Sequence, residues 1–271
     1  MDNPVTLAEP DSYFEMLARS ATEHWWSNGV ESIERRWIQK ELKARSLGAT
    51  IRWNWLDAGC GTGLRLSQWG GWRCWGNRVG LEPERLAKAS GICEESLVFI
   101  RCELPGLPFD APQFDLVTGF DVIQHVPKAL RERALGEIFR VIKPGGILLI
   151  RTNASGVFGD PAMDDSIISS VELNETLKQN QFKILQSSHF NMVGGFVEEV
   201  SALIKKRIRR GDRDNLAFKT GLPRQWQSRP QGHPVARLFG WMESRIAGTG
   251  LVKIPFGHSY LVMARKEVDH G

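Results

Sequence analysis

The chain has 271 residues, of which 42% are hydrophobic and 24% charged, and its formal net charge is +4 at pH 7. This composition is ordinary for a soluble globular protein with a sizeable core, built as one large domain or two small ones. The charge is too small to indicate a nucleic-acid partner by itself. No stretch approaches the roughly 18 consecutive apolar residues that a transmembrane helix needs, and the N-terminus lacks the layout of a signal peptide. We therefore expect a cytoplasmic protein.

The cysteines do not indicate a metal site. The chain has four, at Cys60, Cys74, Cys93 and Cys102. They form no Cys-x-x-Cys pair and no spacing with histidine that is typical of metal ligands. We expect reduced thiols and no bound metal.

The first predicted elements are helices within residues 11–46. Their apolar residues recur at helical spacing: Ile33, Trp37, Ile38 and Leu42. Charged residues fill the intervening positions, so we expect them to form a solvated polar face. These include Glu31, Glu34, Arg35, Arg36, Lys40 and Lys43.

A short buried strand followed by a glycine-rich turn comes next. The apolar residues of the strand are Trp53, Trp55 and Leu56, and the glycines are Gly59, Gly61 and Gly63. Glycine suits this turn because the backbone must take positive φ or approach another group without a Cβ in the way. A helix opening at Leu64 would direct the amides of the loop towards a bound ligand.

The carboxylate before this loop indicates which ligand it suits. Asp57 lies two residues before the first glycine. A dinucleotide site requires Gly-x-Gly-x-x-Gly, whereas here the third glycine comes one position early and Leu64 takes its place. A carboxylate so close to a pyrophosphate would also repel it. The same carboxylate suits a ligand that carries an ammonium and a sulfonium.

Two more strands follow in order. The second spans residues 77–83 and ends in an acid, Glu82, which lies 19 residues after Gly63. That is close to the spacing of about 20 at which an acidic residue binds ribose hydroxyls. The third strand, residues 97–100, leads into a loop at 101–105.

The next landmarks complete the pattern. Residues 114–120 form a fourth apolar strand, followed by the segment 121–127. A helix that includes residues 137–142, a Pro-Gly-Gly turn at 144–146 and a fifth strand at 147–150 then follow. Five landmarks in this order favour a nucleotide-binding α/β fold.

Together, the Asp57–Gly63 loop and these later landmarks resemble the class I S-adenosylmethionine (SAM)-dependent methyltransferases, in the small-molecule branch with a type 11 or UbiE-like domain. The resemblance implies an α/β, Rossmann-like, doubly wound seven-stranded sheet, mostly parallel with an antiparallel last strand. It also implies SAM as the cofactor. The cofactor contacts that it implies are Asp57, Gly59, Cys60, Gly61, Gly63, Glu82, Pro83, Cys102, Glu103, Leu104, Phe120 and Asp121.

His125 is the candidate catalytic residue. It follows the carboxyl end of the fourth strand, the edge at which open α/β sheets place ligands. Its imidazole could take a proton from the acceptor as the acceptor attacks the methyl group. Relatives with very different substrates share a histidine here, so a structural or cofactor-pocket role stays open beside the general-base role.

A long insertion separates the last two predicted strands, residues 182–186 and 260–264. Family members usually join these strands by a short hairpin, whereas here about seventy residues intervene. Two amphipathic stripes in the insertion predict a helical lid over the substrate cleft. The side chains placed towards the cleft are Phe196, Val200, Leu203, Leu238, Phe239 and Met242. As one methyltransferase domain, the chain divides into an N-terminal cap (1–50), a cofactor-binding core (51–193), the lid (194–250) and the last strand with its tail (251–271).

The basic run at 205–210 is compatible with more than one binding partner. It is interpreted as a solvated helix end, as a peripheral contact with anionic lipid headgroups, or as a nucleic-acid contact. Methyltransferases that modify base amino groups typically carry paired prolines after the fourth strand, and residues 120–123 lack them. We expect methyl transfer to a small-molecule or lipid-like acceptor and no nucleic-acid partner. The alternatives are a nucleic-acid methyltransferase and a catalytically idle SAM-binding protein.

Overall fold

The computed structural model describes residues 25–45, 53–60, 74–80, 97–154, 168–192 and 234–268. Four α-helices lie in these ranges: α1 (Trp25–Arg45), α2 (Lys128–Val141), α3 (Ser170–Gln179) and α4 (Pro234–Gly248). The strands are β1 (Trp53–Ala58), β2 (Cys74–Gly80), β3 (Leu97–Arg101), β4 (Phe114–Phe120), β5 (Ile142–Asn153), β6 (Phe182–Phe190) and β7 (Ser259–Lys266). A single 3₁₀ turn, Ile123–His125, follows β4.

The strands form one sheet in the order β3-β2-β1-β4-β5-β7-β6. Strands β1 to β5 are parallel, and β7 runs antiparallel to both of its neighbours. This confirms the predicted Rossmann-like α/β class, with a mostly parallel sheet and an antiparallel last strand. The carboxyl ends of β1 to β5 therefore meet at one edge of the sheet, named here the carboxyl edge, where open α/β sheets bind ligands.

Successive residues of the central strands point to opposite faces of the sheet, and both faces are buried. One face packs against α2 and α3; its strand residues include Leu56, Val117, Leu148, Ile150, Val262 and Ala264. The other face packs against α1 and the end of α4; its strand residues include Trp55, Leu116, Ile147, Leu149, Leu261 and Met263. Near-continuous apolar runs in these strands are the sequence signature of such two-sided burial.

Helix α1 confirms the predicted helical spacing, with one correction. Ile33, Trp37 and Ile38 are each at most 2% exposed and pack on the second face of the sheet. Glu34, predicted for the solvated polar face, is instead fully buried. Periodicity marked it as polar, but an ion pair described below brings it inside.

Two predicted boundaries also change. The second strand begins at Cys74 and ends at Gly80 in the described residues, three residues earlier than expected at each end. The Pro-Gly-Gly segment at 144–146 lies within β5 rather than before it, where the pairing of β4 with β5 shifts register. Gly145 has φ of +74°, and a Cβ on Gly146 would lie 2.6 Å from Ile142 Cγ2. The two glycines thus form an irregular bend inside one strand.

Helix α4 belongs to the layer that covers the sheet, although it lies within the predicted lid. Trp37 Nε1 in α1 donates a hydrogen bond to the Ala247 carbonyl at 2.9 Å, and Arg36 Nη1 donates one to the Ser244 carbonyl at 3.2 Å. Ala247 is fully buried in the core that α1 forms with the sheet. The end of the insertion is therefore part of the domain core.

Candidate active site at the carboxyl edge

Asp57 is a buried carboxylate at the end of β1, only 3% exposed. Trp55 Nε1 donates to Thr118 Oγ1 at 2.9 Å, and Thr118 Oγ1 donates in turn to Asp57 Oδ1 at 2.7 Å. Asp57 and Thr118 are register partners on the adjacent strands β1 and β4. This relay orients the Asp57 carboxylate at the carboxyl edge.

Gly59 is the first glycine of the predicted loop, and the structure shows two reasons for it. Its φ is +78°, a conformation that disfavours side chains. A Cβ at this position would also lie 2.4 Å from Val122 Cγ2. The sequence predicts that the backbone of this loop approaches a ligand closely. At Gly59 it closely approaches the segment after β4 instead.

Asp121, at the carboxyl end of β4, is part of a three-residue ion cluster. Arg151 at the end of β5 donates from Nε to Asp121 Oδ1 at 3.0 Å, with a further bond from Nη2 to Oδ2. Arg151 Nη1 donates to Glu34 Oε1 at 2.6 Å. The Arg151 and Glu34 side chains are 4% and 0% exposed, whereas that of Asp121 is 34% exposed. Asp121 thus presents a partly exposed carboxylate at the carboxyl edge, and the buried Arg151 guanidinium fixes its orientation.

The electrostatics of this cluster keep Arg151 charged. Burial opposes its charge, but the neighbouring Asp121 and Glu34 carboxylates outweigh burial and raise the pKa of Arg151 above its ordinary value. The guanidinium carbon also lies 5.3 Å from the centre of the Phe120 ring. One buried cation shared by two carboxylates leaves a formal charge of −1 on the cluster.

The segment after β4 is held from several sides. Gln124 Oε1 accepts hydrogen bonds from Thr152 Oγ1 at 3.2 Å and from Asn153 N at 2.7 Å. Arg131 Nε donates to the Val126 carbonyl at 3.1 Å. His125 lies between these held residues, and its side chain is exposed. The candidate catalytic imidazole therefore faces solvent from a well-braced turn.

The loop after β3 carries three more predicted contacts. Burial, together with the nearby Glu103, raises the pKa of Cys102 to about 11, so its thiol stays protonated at neutral pH. Leu104 packs against the first core, whereas Glu103 is exposed. Arg140 on α2 fixes this loop by donating to the Leu107 carbonyl at 3.1 Å.

Several predicted residues lie outside the described ranges. They are Gly61, Gly63, Glu82, Pro83, the lid residues Phe196, Val200 and Leu203, and the basic run at 205–210. Three other predicted lid residues are described: Leu238, Phe239 and Met242 are 55%, 41% and 43% exposed, so they do not pack on the sheet. The lid role of the insertion stays a prediction.

Sequence reasoning missed Glu34 and Arg151 as parts of the site. The available signal was a charged residue, Arg151, directly after the apolar run Ile147–Ile150. A charge at the end of a strand buried on both faces requires a partner. The identity of that partner, 117 residues away, had no signal in the local pattern.

The described edge fits a cationic ligand. It carries the carboxylates of Asp57, Glu103 and Asp121, and the Arg151 guanidinium is buried behind Asp121. SAM carries an ammonium and a sulfonium, which such a site attracts, whereas a pyrophosphate would be repelled. Within the described residues, no group of three or more His, Cys, Asp or Glu side chains is placed to hold a metal ion.

Comparison with known proteins agrees with this geometry. A family model described as a methyltransferase domain matches residues 56–150. A malonyl-[acyl-carrier protein] O-methyltransferase of Hamiltonella defensa is 33% identical over 53% of this chain and 56% of its own. A sterol 24-C-methyltransferase of Schizosaccharomyces pombe is 29% identical over 63% of this chain and 46% of its own. The chain thus spans about half the length of these curated relatives.

A solved structure supports the fold. A candidate sarcosine dimethylglycine methyltransferase from Galdieria sulphuraria superposes with a TM-score of 0.54 at 16% identity, covering 85% of this chain and 84% of that one. The sheet order is that of a Rossmann-like α/β fold with an antiparallel last strand. Residues 56–150 are thus similar to a methyltransferase domain.

Proposed function

We propose that this protein transfers the methyl group of SAM to a small-molecule or lipid-like acceptor at the carboxyl edge. The observation that carries the proposal is the placement of Asp57. Its buried carboxylate ends β1 directly before the left-handed turn at Gly59, where a dinucleotide site would place a pyrophosphate. A carboxylate there favours a cationic cofactor.

The residues of the chain divide the work of binding. Asp57 and the Gly59–Gly63 loop would hold the amino-acid end of SAM, and Glu82 would accept hydrogen bonds from the ribose hydroxyls. Cys102, Glu103 and Leu104 would flank the adenine, together with Phe120 and Asp121 from the end of β4. When bound, SAM supplies a methyl group already activated by its sulfonium.

The remaining contribution of the protein is alignment. Holding an acceptor in line with the bond that breaks supplies about 7–11 kcal/mol in well-oriented reactions. The braced turn that carries His125 offers a rigid wall for such positioning, since Gln124 and Arg131 fix its backbone on both sides. His125 then acts either as a general base or as a wall residue of the pocket.

The acceptor class is inferred from the relatives and from the charge of the site. One matched relative is named for malonyl-[acyl-carrier protein] and another for a sterol. An acidic carboxyl edge on a chain of net charge +4 does not favour a polyanionic acceptor such as nucleic acid. One alternative is a catalytically idle protein that binds SAM. Only a measurement of turnover distinguishes it from the proposed methyltransferase.

The proposal is tested by binding and by turnover. Calorimetry should show SAM binding, and incubation with methyl-labelled SAM and a metabolite extract should yield a labelled product. Asp57→Asn should lower SAM affinity at least tenfold, because hydrogen bonds to charged groups contribute about 1.5–3 kcal/mol each. The fold should persist, since an asparagine oxygen can still accept from Thr118.

The matched control is Asp115→Asn. Asp115 lies at the opposite end of β4, where it pairs with Lys143 at 2.9 Å, so its loss should leave SAM affinity unchanged. Unchanged affinity in a folded Asp57→Asn variant would contradict the assignment of the loop. Tighter binding of NADH than of SAM would contradict the proposed cofactor. Binding without turnover on any extract would favour the idle protein.

A further inference from the structure

Helix α4 faces the protein with its small residues and solvent with its large ones. Its buried side, towards α1, is formed by Gly240, Ser244, Ala247 and Gly248. The side chains on the other side are large, apolar and exposed: Leu238 55%, Phe239 41%, Trp241 56%, Met242 43% and Ile246 43%. This reverses the usual arrangement, in which the apolar stripe of a surface helix faces the core.

The exposed side chains form one continuous face. Trp241, Met242 and Ile246 lie three, four and eight residues after Leu238, which is the spacing of neighbours on one side of a helix. Phe239 borders Met242 and Ile246 on the same side. We name these five residues the outer face of α4. At 1.5 Å per residue the 15-residue helix is about 22 Å long, and a clustered apolar surface of this kind marks an interaction site.

The exposed charged residues of α4 itself are both basic. Arg237 and Arg245 are exposed, and Arg245 lies over the Trp241 ring, with 5.2 Å between the guanidinium carbon and the ring centre. Glu243 is the only acidic residue between 234 and 258. Its carboxylate is turned away from the outer face and accepts hydrogen bonds from Asn191 N and Met192 N.

We propose that the outer face of α4 docks on an anionic lipid surface. Aromatic and aliphatic side chains on one side of a helix, bordered by arginine, suit the boundary between headgroups and acyl chains. The two arginines would pair with lipid phosphates there. A second copy of the same face would instead bring four like charges together. The helix is too short to span a bilayer, so it lies in the plane of the surface.

This proposal uses three side chains that the sequence places over the substrate cleft. Leu238, Phe239 and Met242 contact lipid in this arrangement rather than covering bound SAM. No helix within the described residues is long and apolar enough to cross a membrane.

Flotation with lipid vesicles tests the proposal on the full chain. The protein should float with phosphatidylcholine vesicles that contain about 30% phosphatidylglycerol, and far less with pure phosphatidylcholine. The triple variant Leu238→Ser, Met242→Ser, Ile246→Ser should reduce binding at least tenfold. The double variant Arg237→Glu, Arg245→Glu should do the same, because each cation near an anionic surface contributes about a fivefold change in binding. Val171→Ser, which alters a side chain 62% exposed on α3, is the matched control and should bind as the unaltered chain does.

Three results would overturn the proposal. The first is equal binding of the unaltered chain and both variants to anionic vesicles. The second is a lower Tm of the serine variant, which would show that the chain itself covers the outer face. The third is a dimer in sedimentation that the serine variant converts to a monomer, with no vesicle binding, which would assign the face to a second copy.

Discussion

At the scale of single residues, one buried arginine joins three elements. Arg151 at the end of β5 holds Asp121 after β4 and Glu34 on α1. Asp121 has φ of +57°, a left-handed conformation that is uncommon outside glycine, and its amide donates to the Arg151 carbonyl at 2.9 Å. Side chain and backbone of Arg151 therefore both fix the residue that presents a carboxylate at the edge.

Loss of this arginine should be costly. Arg151→Met leaves the fully buried Glu34 without its cation, and breaking a buried ion pair from one side typically costs about 3–5 kcal/mol. Denaturant unfolding should show a fall of this size in the free energy of unfolding. Glu34→Gln in the Arg151→Met background should recover part of it, because it removes the stranded charge.

Arg265→Met supplies the matched comparison. Arg265 pairs with Glu41 on the same helix α1 at 2.7 Å, but its side chain is 39% exposed. Surface pairs of this kind contribute roughly 0–1 kcal/mol. Equal losses in Arg151→Met and Arg265→Met would show that the buried cluster has no special role in stability.

His125 should not be indispensable for the chemical step. Its ring is exposed and the methyl group of SAM is already activated, so His125→Ala and His125→Gln should retain measurable turnover once the acceptor is known. Steady-state kinetics with SAM affinity measured in parallel tests this. A thousandfold fall in kcat at unaltered SAM affinity, roughly the scale of general acid–base catalysis, would instead establish proton transfer by His125.

At the scale of elements, Glu243 ties the two ends of the long insertion together. It lies on α4, near the end of the insertion, and accepts from Met192 N at 2.7 Å and from Asn191 N at 3.1 Å, where the insertion begins. Burial raises the pKa of Glu243 above its ordinary value of 4.5, although both backbone hydrogen bonds act in the opposite direction. The tie is therefore sensitive to pH.

The sign of this dependence follows from the raised pKa. The folded protein binds the Glu243 proton more tightly than the unfolded chain does, so stability from this group is fully present below pH 4.5 and is lost as the pH rises through the raised pKa. The unfolding free energy of the unaltered protein minus that of Glu243→Gln should therefore fall as pH rises from 4.5 towards neutrality. Urea unfolding across this range measures it. A difference that is constant or rises with pH would contradict the buried state of Glu243.

At the scale of the whole molecule, the insertion contributes to the same core that supports the candidate site. Ala247 of α4 is buried beside Trp37 of α1, and the same core reaches Trp55 in β1 and Phe120 in β4. Trp55 donates into the relay that orients Asp57. The helix that ends the insertion is thus connected by packing to the candidate site.

Replacement of residues 194–250 by a short Gly/Ser hairpin should therefore destabilise the domain. From the sequence alone this change should spare SAM binding and abolish turnover; the packing of α4 adds a fall of more than about 5 °C in Tm. Trp37→Phe is the limited control, since it keeps α4 and removes the bond to the Ala247 carbonyl, worth about 1 kcal/mol, together with part of one buried ring. A Tm within about a degree of the unaltered protein would show that α4 is dispensable to the core.

The sequence by itself determined the order and type of the described strands and the place of the glycine turn after β1. The patterns that carried these predictions are local: apolar runs at β1 and β4, helical spacing in α1 and glycine at position 59. Local sterics and burial allow one structure for each of them. Two of these patterns, strand β4 and the glycine at position 59, lie within residues 56–150, which match a methyltransferase domain.

Only the tertiary structure decided which polar residue meets which. Glu34 and Arg151 are 117 positions apart, and Trp37 and Ala247 are 210 apart. Periodicity classes a residue as polar or apolar, but its partner depends on where two distant elements cross. The same holds for α4, whose apolar stripe predicts a buried face, whereas its small residues allow close packing on α1 and leave the large side chains outside. Hydrophobic spacing is a property of one helix, while burial is a property of the pair.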